Sequence, residues 1–168
     1  MMTRNTRAIA GIASALLLAL VLGGCRQPDG AMPEPQGEQT NRIDDISRDL
    51  QNLANGDASA PAELLDDLTY LESVPRPPGP LKALADSLAV ALRGAKLPDT
   101  EARQMATLVF QLVAAQDMSE SQIAQVSSGL RDAVVNAGGQ ADAAERAAAA
   151  GSALAGEMSQ NKKRWYHR

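Results

Sequence analysis

The sequence predicts an all-α fold: a small bundle of five or six short antiparallel helices that follows a disordered tether. Three observations carry that expectation. Apolar residues recur at steps of three and four, as in Ile43, Ile46, Leu50 and Leu53 or in Ile123, Val126, Leu130 and Val134, which puts them on one face of a helix. Glycine and proline interrupt the chain between these stretches, at Asn55-Gly56, from Pro75 to Pro80, at Gly94, at Pro98 and at Gly138-Gly139. Ser119, with Gln122 three residues on and Met118 and Ile123 flanking them, has the pattern of a capping box with a hydrophobic staple.

Composition narrows the chemistry available to that bundle. His167 is the single histidine and Cys25 the single cysteine of the 168 residues, which leaves no material for a catalytic triad, a Cys-His pair or a nitrogen- and sulfur-ligated metal site in the folded body. Aromatic residues are only 2% of the chain, and Tyr70 and Phe110 alone precede the last few positions, too few for a glycan-stacking cleft or a base-stacking surface. The 16 basic residues face 20 acidic ones, and four of the basic residues lie at Lys162, Lys163, Arg164 and Arg168. The acidic remainder argues against nucleic acid as a partner and against a body lying flat on an anionic membrane.

The first element is an export signal. Arg4 and Arg7 make a positive start, and the apolar run from Ile9 to Leu22 is shorter than the roughly 20 residues of a membrane-spanning helix. The run ends in Leu22, Gly23, Gly24 and Cys25, with a leucine three residues before the cysteine and small residues beside the expected cleavage point. This stretch resembles the signal peptide and lipobox of a bacterial lipoprotein. The resemblance implies that Leu22, Gly23 and Gly24 are read by the signal peptidase and that the Cys25 thiolate accepts diacylglycerol, with an N-acyl chain added after cleavage. It also implies the outer membrane, facing the periplasm, because the residue after the cysteine is Arg26 and not the aspartate that favours inner-membrane retention. In an organism with a single membrane, the cell membrane takes that place. No cofactor is expected beyond the covalent lipid, and no metal.

Four segments follow: a signal peptide over 1–24, a tether over 25–41, a helical domain over 42–158 and a basic aromatic tail over 159–168. The tether holds Pro28, Gly30, Pro33, Pro35 and Gly37 among polar residues and has almost nothing apolar to bury. The first helix begins near Asn41, with Asp44 and Asp45 in its early turns, and stops at Asn55-Gly56. The second carries Leu64, Leu65, Leu68, Leu71 and Val74 on one side and Asp66, Asp67 and Glu72 on a solvated face. Pro75, Pro77, Pro78 and Pro80 break the helical pattern and read as a stiff connector or a polyproline ligand.

A third helix, about 81–93, presents Leu81, Leu84, Leu88 and Leu92. The fourth starts after Pro98 and buries Met105, Leu108, Val109, Leu112 and Val113, while Phe110 points to a second side near Ala106 and Ala114; this helix is expected at the centre of the bundle. The fifth starts at Ser119 and ends at Gly138-Gly139. The last, roughly 140–158, aligns Ala144, Ala147, Ala148, Gly151, Leu154, Ala155 and Met158, and is expected to be weakly held because small residues bury little area.

The tail brings Lys162, Lys163, Arg164, Trp165, Tyr166, His167 and Arg168 together. Cations beside Trp and Tyr suit an anionic membrane surface, the acidic body of another copy or wall material, and the same residues suit a solvated helix end. The chain therefore reads as a lipid-anchored, non-catalytic interaction or structural module of the envelope. Its expected partners are the membrane, through the anchor, and an envelope protein or cell-wall component, with no nucleic acid and the oligomeric state open. Two alternatives stand beside it: a carrier of lipid or another apolar ligand, and a cell-wall hydrolase that uses Glu63, Glu72, Glu101 or Glu120.

Overall fold

The computed structural model describes residues 36–69, 71 and 77–165, with side chains placed between 37 and 160. Six α-helices account for the fold: α1 Gln36–Asn55, α2 Ala60–Thr69, α3 Pro78–Leu92, α4 Asp99–Val113, α5 Glu120–Asn136 and α6 Ala141–Trp165. The described chain is all-α, as the apolar spacing predicts.

The helices alternate in direction. Asp99 at the start of α4 accepts a hydrogen bond from Gln51 Nε2 near the end of α1 at 2.8 Å, while Arg103, one turn later, pairs with Asp44 further back along α1. These contacts run α4 antiparallel to α1. At one end of the bundle the turns after α1, α3 and α5 are joined main chain to main chain. Gly94 N donates to Ala54 O at 3.0 Å, Lys96 N to Ala137 O at 3.1 Å and Gln140 N to Ala91 O at 2.9 Å. Gly56, Gly94 and Gly138 take φ of 80°, 78° and 81° as they leave these three helices, the left-handed conformation in which a side chain is strained.

The core runs through all six helices. Ile46, Leu50, Leu64, Leu68, Leu84, Leu88, Leu92, Met105, Leu112, Leu130 and Leu154 are fully buried. Phe110 is buried together with Ala106, so α4 is covered on two sides. The most extensive helix packing nevertheless belongs to α6, which lies against α3, α5 and α4. This corrects the expectation of a weakly held last helix: Ala143, Ala144, Ala147 and Ala155 are buried, and their small side chains let backbones approach closely. A Cβ placed on Gly151 would stand 2.7 Å from Leu112 Cδ1.

Four boundaries differ from the sequence reading, the first being that α2 ends at Thr69, short of the Leu71 and Val74 expected on it. The first helix begins at Gln36, inside the stretch expected to be tether, and the Arg42–Glu38 ion pair at 3.1 Å spans one turn of this early part. The third begins at Pro78, because proline is tolerated in a first turn whose amides have no intrahelical partner; Pro77 is its N-cap. The last continues through Trp165. The Ser119 capping box forms as expected, with Gln122 N donating to Ser119 Oγ and Ser119 N donating to Gln122 Oε1.

Candidate functional site

The α1–α2 hairpin holds the most unusual polar arrangement among the described residues. Asp49 lies three residues after Ile46 and four before Leu53, on the same stripe that feeds the core, and is only 2% exposed. Its Oδ2 has no hydrogen-bond partner among the described residues. From α2, Asp67 and, one turn earlier, Glu63 bring further negative charge towards it. Burial, then the Asp67 charge and a hydrogen bond to the Asp67 carboxylate, raise the pKa of Asp49 from 3.8 to about 7; Glu63 adds to the rise, and Arg48 opposes it. Arg48 is also engaged outward, with Asp45 at 2.8 Å. Asp49 therefore holds its proton far more tightly than an ordinary carboxyl and is protonated in mildly acidic solution.

Asp67 also lines a groove of about 260 Å3 between the two helices, together with Glu38, Asn41, Arg42, Asp45 and Leu71. Three of its six lining residues are acidic, and Arg42 and Leu71 add a cation and an apolar wall. Asp49 is buried and is not among its lining residues, so its raised pKa belongs to the packing of α1 against α2 and not to an acid presented in the groove. This position corrects the reading of Asp67 as a solvated-face residue; Asp66, beside it, is exposed.

The other carboxylates considered for a hydrolase do not converge. Glu63 is exposed on α2, Glu101 lies in the first turn of α4, and Glu120 lies in the first turn of α5, at the opposite end of the bundle from Glu101. Glu72 falls outside the described residues, as do Leu22, Gly23, Gly24, Cys25, Tyr166, His167 and Arg168. Lys162, Lys163, Arg164 and Trp165 occupy the final turn of α6. No group of three or more His, Cys, Asp or Glu among the described residues is placed to hold a metal ion, and no described helix is long and apolar enough to cross a membrane.

Comparison of the chain with protein-family models, with curated proteins and with solved structures yields no match.

Proposed function

We propose that this protein is a lipid-anchored envelope module, held through Cys25 on the periplasmic face of the outer membrane, that acts by binding and positioning a partner and not by catalysis. The observation that carries the proposal is the Leu22-Gly23-Gly24-Cys25 sequence directly after an apolar run too short to span a bilayer, with Cys25 the chain's one cysteine. Two or three acyl chains on that residue, at about 0.8 kcal/mol per buried methylene, hold a protein at a bilayer effectively permanently. The non-catalytic reading is supported by the scatter of Glu63, Glu101 and Glu120 over different helices and by the burial of Asp49, the described carboxyl with the most strongly raised pKa.

Cell fractionation with mass measurement tests the anchor. The wild-type protein is expected in the membrane fraction with a mass increment of diacylglycerol plus one acyl chain on Cys25, and Cys25→Ser is expected to leave that fraction. A Cys25→Ser protein that stays with the membrane, or a wild-type Cys25 carrying no acyl group, would remove the proposal. Incubation with purified peptidoglycan tests the non-catalytic part, which release of soluble fragments would overturn.

A further inference from the structure

The helix directions bring two separate parts of the chain to one end of the bundle. α4 runs antiparallel to α1, so the end of α4 lies beside the start of α1. Just past α4, Ala115 O and Met118 O accept hydrogen bonds from Ser159 Oγ near the end of α6, at 3.1 and 3.5 Å. The start of α1 at Gln36 and the end of α6 at Trp165 therefore share one end, and the joined turns at Gly56, Gly94 and Gly138 occupy the other. Beyond Ser159, α6 continues to Trp165, a further rise of about 9 Å.

Lys162, Lys163 and Arg164 lie on this last turn, whereas residues 25–160 carry an excess of acidic groups. Between Cys25 and Gln36 the chain can reach at most about 36 Å. A lipid at Cys25 therefore confines the start of α1 to the neighbourhood of the bilayer, and the end of α6 is confined with it. The acidic body is repelled by anionic headgroups while the cationic helix end is attracted, so the end-on pose is favoured over a flat one.

We infer that the last turn of α6, through Lys162, Lys163 and Arg164, docks on the anionic headgroups of the membrane that holds the Cys25 lipid, standing the bundle on this end. The inference rests on the lipid-anchor reading for the identity of that membrane, but the cationic contact has its own readout. Trp165 is the single tryptophan of the chain, so its fluorescence reports on this turn alone.

The full-length lipidated protein is placed on vesicles whose phospholipids carry brominated acyl chains, made either from phosphatidylcholine alone or from phosphatidylcholine and phosphatidylglycerol at about three to one. Trp165 is expected to be quenched on the phosphatidylglycerol vesicles and far less on the neutral ones. The triple variant K162E/K163E/R164E is expected to lose the quenching while still sedimenting with the vesicles through its lipid. Cys25→Ser protein, added to the same anionic vesicles, is expected to show the quenching at higher vesicle concentration. Its apparent affinity should fall about five-fold for each basic residue removed. An unquenched Trp165 on phosphatidylglycerol vesicles overturns the inference, as does quenching that survives the charge reversal. Retention of the tail on purified wall material with Trp165 unquenched on vesicles also overturns it. Lack of acyl groups on Cys25, with the Cys25→Ser quenching intact, removes the anchor reading and leaves the cationic contact standing.

Discussion

At the residue scale, Asp49 couples the α1–α2 packing to pH. Its pKa is about 7 in the folded protein and close to 3.8 when unfolded, so the native state binds the proton more tightly. The resulting stabilisation is fully present below pH 3.8 and is lost as pH rises through about 7, a change of at most on the order of 4 kcal/mol. Asp49→Asn keeps a donor towards Asp67 without the charge. Urea unfolding is expected to find the advantage of the variant over the wild type larger at pH 8 than at pH 5. Equal midpoint differences at the two pH values would show that Asp49 does not titrate in this interval. The position was partly legible in the sequence: Asp49 interrupts the Ile46–Leu53 stripe. Its partner was not, because the register of α2 against α1 is a tertiary property and Asp66 and Asp67 look alike until one of them is turned inwards.

At the element scale, α6 departs most from expectation. Summing the area of its small side chains suggests a loosely held helix, yet the same small side chains admit α3, α4 and α5 at close range. Gly151 marks the tightest of these approaches among its described glycines, and Gly156, just over one turn on, has open space around the position of a Cβ. Gly151→Ala is expected to force Leu112 from its place and to cost about 1–3 kcal/mol, whereas Gly156→Ala is expected to add about 0.5–1 kcal/mol by lowering the freedom of the unfolded chain. Thermal unfolding should shift in opposite directions for the two variants, and a shared direction would contradict the packing assigned to Gly151. Helix number and type were readable from period and punctuation, and the Ser119 cap formed as read. The starts at Gln36 and Pro78 were not, because proline and glycine mark a helix's first turn as readily as a loop.

For the whole molecule, the described helices pack as one unit in which α1 touches α2, α3 and α4 while α6 touches α3, α4 and α5. Removing a central side chain should therefore loosen distant helices together. Leu154→Ala, in α6, is expected to lower global stability by about 2–5 kcal/mol. Amide exchange should accelerate by a similar factor at Leu50 in α1 and at Leu130 in α5; acceleration confined to α6 would mean that the bundle opens in parts. The Arg103–Asp44 pair, by contrast, is exposed on both sides and is expected to contribute between 0 and about 1 kcal/mol.

The turns joined at the end away from Trp165 bear on how this surface can vary. Lys96 and Gln140 are exposed and join these turns through their main-chain amides, so those bonds hold whatever side chains the two positions carry. Lys96 and Gln140 are thus released from structural duty, and substitutions there can accumulate without altering the helices behind them.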